Sequence, residues 1–244
     1  LRAVDCVASL GLEALELEFV HGLKLGPETA RQIKIKSSQQ GVKLSAHAPY
    51  FINLNAGDQG QRIRSQELLL NSLRLAGVAG ASDLVFHAGY YGRQTPEETY
   101  SQIKNSLKEI LSISRLEKIP VRLRIETMGK RQQFGTLDEV LALCRELEGL
   151  FPCLDFAHIF AREGKINSYR DFYQVLKKVE RKLGHRALAS AHIHISGVIF
   201  NQRGEIKHIN LDESEFQYDE WLQAIIEVDL KGTIIVESPS LEAD

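Results

Sequence analysis

The chain has 244 residues, of which 43% are hydrophobic and 25% are charged, and its formal net charge is −2. No stretch approaches the roughly 18 consecutive apolar residues of a membrane span, and the charge balance lacks the strong positive excess of a general nucleic-acid-binding protein. The three cysteines are widely spaced and include no C-x-x-C pair, which argues against a disulfide framework or a thiolate zinc site. No charged-then-apolar leader is visible, so we expect a cytoplasmic protein without a membrane partner. We also expect it to be monomeric.

Short strand patterns alternate with amphipathic helix patterns along the whole chain. The predicted strands are ALELEF (14–19), KLSAHA (43–48), DLVFHAG (83–89), VRLRIET (121–127), PCLDFA (152–157), AHIHISG (191–197) and TIIVES (233–238). Strands that alternate with helices form parallel sheets through right-handed crossovers. The pattern therefore leaves two architectures, a closed eight-unit barrel or an open doubly wound sheet.

The helices between these strands carry clear start signals. Pro27 opens one helix, and a Thr95–Glu98 capping box and a Thr136–Glu139 capping box open two others. The chain contains no low-complexity run and no linker rich in Gly, Ser or Pro. We therefore predict a single domain over residues 1–244.

Polar alternation within the strands favours the barrel. In VRLRIET the residues Arg122, Arg124 and Glu126 occupy one face and the apolar residues the other, whereas a central strand of an open sheet is apolar on both faces. We predict an α/β TIM (β/α)8 barrel with a charged interior. Its first strand is missing from the N-terminus as given, because LRAVDCVASLGL reads as a helix. Both arginines are expected to meet acidic partners, with Glu16 and Glu18 the first candidates.

Active sites of such barrels lie at the C-terminal ends of the strands. Six consecutive predicted strands end in a side chain that can bind a metal: His47, His87, Glu126, Asp155, His194 and Glu237. Two further ligand candidates are His158, three residues after Asp155, and His208, in the loop after the strand that carries His194. On that strand His192 remains an alternative to His194. Imidazole and carboxylate ligands suit zinc or manganese, so the pattern predicts a metal centre.

Several motifs carry a resemblance to a known family. They are HAPYFINL, FHAG, IETMGK, CLDFAHIFA, HIHISG and VESP, in this order. Between residues 14 and 240 the chain resembles endonuclease IV, the metal-dependent abasic-site endonuclease of the xylose-isomerase-like barrel superfamily.

The resemblance implies up to three zinc ions, with manganese as an alternative metal, and a substrate of DNA that contains abasic sites. The implied first zinc is held by His47, His87 and Glu126. Glu126 bridges to a second zinc, which Asp155, His194 and Glu237 also hold, and the third zinc is held by His158 and His208. The implied catalytic carboxylates are Glu126 and Glu237, and the implied DNA-binding residues are Tyr50 and Phe51.

The sequence also departs from the motifs of that family. An aspartate of the family is replaced by Gly197 in HISG, and the usual aspartate two residues before His208 is replaced by Glu205 three residues before it. We therefore expect a divergent branch. The leading hypothesis is cleavage of the DNA backbone 5′ to abasic sites, and the rival is a sugar isomerase or epimerase of the same superfamily with a single divalent ion. A third-site histidine pair distinguishes them, because a single-ion isomerase has no use for it.

Overall fold

A computed structural model describes residues 1–19 and 21–240 of the chain. These residues form two compact units. The N-terminal unit comprises residues 1–125 and 149–151, and the C-terminal unit comprises residues 126–148 and the chain from residue 152 onward. The single domain over residues 1–244 stays a prediction, and each unit is described by itself.

The N-terminal unit contains four parallel strands in the order β1-β2-β3-β4. Its strands are β1 (Ala14–Glu18), β2 (Lys43–His47), β3 (Asp83–Phe86) and β4 (Arg122–Glu126), and its helices are α1 (Arg2–Ser9), α2 (Pro27–Gln40), α3 (Gln59–Ala79) and α4 (Pro96–Leu116). The strand register aligns Leu17, Ala46, Leu84 and Leu123 in one row across the four strands. This row is apolar because side chains of adjacent strands at equal register point to the same face.

A buried ion-pair group lies within this unit. Asp83 Oδ2 is 2.8 Å from Arg122 Nη2, and Asp83 Oδ1 accepts a hydrogen bond from Arg124 Nε. Both arginines therefore meet an acidic partner, as predicted, and the partner is Asp83 on the neighbouring strand. Burial alone would raise the pKa of Asp83, but the charge of Arg124 and hydrogen bonds from Arg122 and Ser82 hold that pKa below its usual value.

The C-terminal unit contains three parallel strands and an antiparallel hairpin. The parallel strands are β5 (Leu150–Asp155), β6 (Ala191–Ile195) and β9 (Gly232–Val236), the hairpin is β7 (Gly197–Asn201) with β8 (Gly204–Ile209), and the helices are α5 (Leu137–Glu146), α6 (Phe156–Glu163), α7 (Tyr169–Leu183), α8 (Arg186–Ala189) and α9 (Tyr218–Glu227). Glu126, the last residue of β4, belongs to this unit, and the first two residues of β5 belong to the other. Phe156 packs edge-on against Phe172 and Trp221 at the centre of its core.

The predicted helix starts are confirmed in both units. Thr95 is the N-cap of α4 and Thr136 is the N-cap of α5, and in each helix the side chain of the capping-box glutamate, Glu98 or Glu139, accepts a hydrogen bond from the backbone N–H of the cap residue. Pro27 is the first residue of α2. Two reciprocal bonds satisfy backbone N–H groups that have no partner within the helix, which is why these boundaries are readable from the sequence.

All seven predicted strands are confirmed, six of them to within about two residues at either end, whereas DLVFHAG (83–89) ends earlier than predicted, at Phe86. The first described element is the helix α1, as predicted. The β7–β8 hairpin was missed, so His208 lies on β8 and not in a loop. Within residues 1–19 and 21–240, none of the helices is both long and apolar enough to cross a membrane.

Candidate metal centre

Asp155 is a candidate ligand at the junction between a strand and a helix. It is the last residue of β5 and the N-cap of α6, where its Oδ1 accepts the backbone N–H of His158 at 2.7 Å. Its own N–H donates to Thr127 Oγ1 at 2.9 Å. The carboxylate is fully buried, its Oδ1 is held by the helix N-terminus, and its Oδ2 is buried without a hydrogen-bond partner among the described residues.

His158 lies on the first turn of α6 and contacts acceptors at both ring nitrogens. Its Nδ1 is 3.0 Å from the carbonyl oxygen of Thr127, 3.1 Å from Glu126 Oε1 and 3.3 Å from Asp155 Oδ2. Its Nε2 is 3.3 Å from Glu205 Oε2 and 3.2 Å from His208 Nε2. These contacts orient the ring so that Nε2 faces the hairpin.

His194, on β6, contacts two carboxylates through its ring. In the register of β5 and β6 it lies opposite Asp155. Its Nδ1 is 3.1 Å from Glu237 Oε1 and 3.5 Å from Glu126 Oε1. The other oxygen of Glu237, Oε2, is 3.8 Å from His208 Nδ1. Glu237 therefore lies between the two histidines.

Among the described residues of this unit, two groups that include carboxylates offer ligand atoms that all lie within 4.8 Å of one another. The four-residue group is Glu126, Asp155, His194 and Glu237, and the three-residue group is Asp155, His158 and His208. Asp155 is common to both. Carboxylate oxygen and imidazole nitrogen at these separations are the donors that zinc and manganese accept.

The charges in these groups fit a divalent cation. Burial raises the pKa of Asp155 to about 6; His158 opposes this rise, while Glu126 and Glu237 add to it. Burial would lower the pKa of His158, yet Asp155, Glu126 and Glu205 raise it well above its ordinary value. The neighbouring carboxylates thus favour the protonated, positively charged form of the His158 imidazole. A bound divalent cation would place more positive charge beside the same carboxylates.

Glu205 lies beside the three-residue group. It is the fourth carboxylate of the site, after Glu126, Asp155 and Glu237. Burial would raise its pKa, but the hydrogen bond and charge of His158 lower it to about 2. Gly129 makes this approach possible, because a Cβ there would lie 2.8 Å from Glu205 Cβ and 3.0 Å from His158 Cδ2. Sequence reasoning left Glu205 open as a ligand and missed both Gly129 and Thr127. The position of Thr127, directly after the strand-end Glu126, was the available signal.

The departure at Gly197 has a steric explanation. A Cβ at this position would lie 2.1 Å from the carbonyl oxygen of Asn210. An aspartate could not occupy it without moving the backbone of the hairpin.

The N-terminal unit contains the remaining sequence-predicted residues. His47 ends β2, and its ring centroid is 4.9 Å from that of His87, so these two candidate ligands lie together. Tyr50 and Phe51 follow His47 and are 47% and 57% exposed. Tyr50 Oη is 3.2 Å from Nδ1 of His21. The aromatic pair is thus accessible for binding from solvent.

Fold and site together define a family. The profile of the xylose isomerase-like TIM barrel family matches residues 4–244, so this chain belongs to that family and the predicted fold class is confirmed. An uncharacterized protein of Methanocaldococcus jannaschii is 43% identical over 244 residues, which is 100% of this chain and 88% of that protein. A probable endonuclease 4 of Aquifex aeolicus is 28% identical over 169 residues, or 68% of this chain. The match spans 58% of the Aquifex protein's length.

Solved structures with the same fold include two kinds of enzyme. A D-tagatose 3-epimerase-like protein has a TM-score of 0.76 at 17% identity, covering 96% of this chain and 84% of that one. Endonuclease IV from Thermus thermophilus has a TM-score of 0.75 at 21% identity, covering 99% of this chain and 89% of that one. The two scores are nearly equal, so likeness of fold does not distinguish an endonuclease from an epimerase.

Proposed function

We propose that this chain is a metal-dependent hydrolase that cleaves the DNA backbone on the 5′ side of abasic sites. The observation that carries the proposal is the three-residue group, in which His158 and His208 approach to 3.2 Å beside Asp155. A sugar isomerase that uses a single ion needs only the four-residue group. A second, overlapping group suits a reaction in which more than one cation contacts the same phosphate.

The proposed roles follow from exposure and contacts. Bound divalent cations, zinc by preference and manganese as an alternative, would stabilise charge on the phosphate and lower the pKa of a water molecule. Glu237 is the most exposed carboxylate of the four-residue group. We therefore assign it the role of the general base that accepts a proton from the attacking water. Glu126, buried and within 3.5 Å of the rings of His158 and His194, holds both imidazoles in orientation and is itself a ligand.

Within the N-terminal unit we propose a separate ligand pair and a DNA contact. His47 and His87 offer ring nitrogens within 4.8 Å of each other, a separation that one cation can span. Tyr50 and Phe51 are exposed aromatic side chains. A missing base leaves a gap in the duplex that an apolar side chain fills at low cost, and we propose that this pair contacts the DNA there.

The test is cleavage of a duplex with one abasic site by the zinc-loaded protein. His208→Ala should lower kcat/KM by at least about a hundredfold, because the loss of the hairpin imidazole leaves the three-residue group incomplete. His185→Ala is the matched control, since His185 is exposed and contacts Glu180. Equal activity of the two variants would contradict the proposal.

A separate comparison tests the aromatic pair. Tyr50→Ala should reduce the preference for abasic over intact duplex more than it reduces the rate of cleavage at saturating abasic duplex. Tyr218→Ala replaces another partly exposed tyrosine and should leave the preference unchanged. An unchanged preference in Tyr50→Ala would remove this residue from the DNA contact.

The second candidate is a sugar epimerase that uses one ion. The observation that favours it is the four-residue group itself, since three carboxylates and one imidazole suffice for a single cation. The discriminating assay incubates the same metal-loaded protein with ketohexoses. Interconversion of a ketose and its epimer, with abasic duplex left uncut, would replace the hydrolase with the epimerase.

A further inference from the structure

A third group of metal-competent side chains lies one strand step below the four-residue group. Cys153, His192 and His194 offer ligand atoms that all lie within 4.8 Å of one another. Leu154 pairs with Ile193 and Asp155 with His194 in the parallel register of β5 and β6. The preceding step places Cys153 beside His192, and the period of two directs both residues to the face that carries Asp155 and His194.

The chemistry of this group differs from that of the carboxylate groups. All three side chains are buried, and the ring centroids of His192 and His194 are 5.4 Å apart. A thiolate with two imidazoles favours a soft or borderline cation, whereas carboxylate-rich groups suit harder cations such as Mn²⁺. Three protein ligands with one open position are an established arrangement for Zn²⁺.

His194 belongs to both groups. Its Nδ1 faces Glu126 and Glu237, and the same ring offers a nitrogen within 4.8 Å of the ligand atoms of Cys153 and His192. We propose that Cys153, His192 and His194 form a separate binding position for a thiophilic divalent cation such as Zn²⁺, which competes with the four-residue group for His194. This position does not depend on the hydrolase activity or on its substrate.

The geometry requires a small contraction and a route for the ion. Ligand atoms around tetrahedral zinc are about 3.5 Å apart, so separations of up to 4.8 Å close by roughly 1 Å through side-chain rotation. Glu237, which contacts His194, is partly exposed, so the carboxylate side of His194 is the side nearer to solvent. The sequence alone did not reveal this group, because Cys153 and His192 are far apart in the chain and come together only through the pairing of β5 with β6.

The probe is Co²⁺, which occupies zinc sites and gives a near-ultraviolet charge-transfer band only when a thiolate is a ligand. Metal-free native protein titrated with Co²⁺ should develop this band. Cys153→Ser should abolish the band and His192→Ala should strongly reduce it, while Cys144→Ser, which removes a partly buried cysteine of α5, should retain it. Titration with Mn²⁺ should give the same affinity in the native protein and in Cys153→Ser, because manganese prefers the carboxylate group.

Two outcomes would overturn the proposal. One is a native protein that shows no thiolate band when saturated with Co²⁺, and the other is a band that persists in Cys153→Ser. Native protein and His192→Ala decide the matter if Cys153→Ser does not fold. None of these readouts measures nuclease activity, so failure of the hydrolase assignment would leave the result intact.

Discussion

Asp83 in the N-terminal unit and Asp155 in the C-terminal unit are both buried, yet their pKa values shift in opposite directions. Burial raises the pKa of both, but at Asp83 the guanidinium groups of Arg124 and Arg122 outweigh it and lower the pKa. At Asp155 burial prevails over His158, and the neighbouring Glu126 and Glu237 raise the pKa further, to about 6. The two aspartates thus differ in their cationic neighbours: Asp83 lies beside arginines, which are always charged, and Asp155 lies beside a histidine, which is charged only when protonated.

This difference separates a structural ion pair from a binding site. An arginine carries its charge at every physiological pH, so the Asp83 group is neutralised within the unit. An imidazole carries a charge only when protonated, and the carboxylates of the C-terminal unit compete for that proton. Carboxylates balanced by arginine form a structural ion pair, whereas a carboxylate–histidine cluster of this kind is a candidate for exchanging its proton for a metal ion.

The largest expected effect is on the structural side of this comparison. Asp83→Asn should lower the free energy of unfolding by about 3–5 kcal/mol, because it removes the carboxylate of a pair with the buried Arg124. Urea unfolding at neutral pH measures the change. The matched control is Asp138→Asn, which breaks an exposed pair with Lys178 and should change stability little. Equal losses in the two variants would contradict a structural role for Asp83.

Metal removal tests the binding side. Chelation should lower the melting temperature, and zinc at about a hundred times its Kd should restore about 2.7 kcal/mol by binding the native state. Asp155→Asn should lose most of the corresponding response to manganese, because Asp155 belongs to both carboxylate-containing ligand groups. Asp83→Asn should keep the response even though it is less stable. The metal assignment would fail if confirmed metal loss left the native melting curve unchanged.

A smaller effect, on both stability and zinc binding, is expected from a substitution at Gly129. Gly129→Ala should cost about 1–3 kcal/mol and weaken zinc binding, because its Cβ would press on Glu205 and His158. Gly57→Ala is the control, since a Cβ at that position meets nothing within 4 Å. Unfolding curves and zinc titrations of both variants measure the two effects. A Gly129→Ala protein with native zinc affinity would show that the Glu205–His158 approach does not matter for binding.

The smallest effect is the pH dependence that Asp83 contributes. Its folded pKa lies below the unfolded value, so the unfolded chain takes up the proton first as pH falls. The stabilisation is therefore complete above the unfolded pKa, near 4, and is lost as pH falls through the folded pKa. The difference in unfolding midpoint between native protein and Asp83→Asn should narrow, without vanishing, as pH falls through the folded pKa of Asp83, and should widen toward neutral pH. A constant difference over the whole range would contradict this linkage.

Local patterns were sufficient for the seven parallel strands and for several helix starts, and strand-end positions were sufficient to select candidate ligands. Strand alternation and capping boxes depend on neighbouring residues, so they identified the seven parallel strands and the starts of α4 and α5. Strand ends meet at one edge of a parallel sheet, and this rule singled out Asp155, His194 and Glu237 without any distance.

Only the tertiary structure decided which residues meet across the chain. Asp83 as the partner of Arg122 and Arg124 follows from the pairing of β3 with β4, and the approach of Glu205 to His158 depends on the hairpin and on Gly129. The position of Cys153 beside His192 likewise follows from strand register. Periodicity tells which face a side chain occupies, but its neighbour on that face is set by register and packing between segments far apart in sequence.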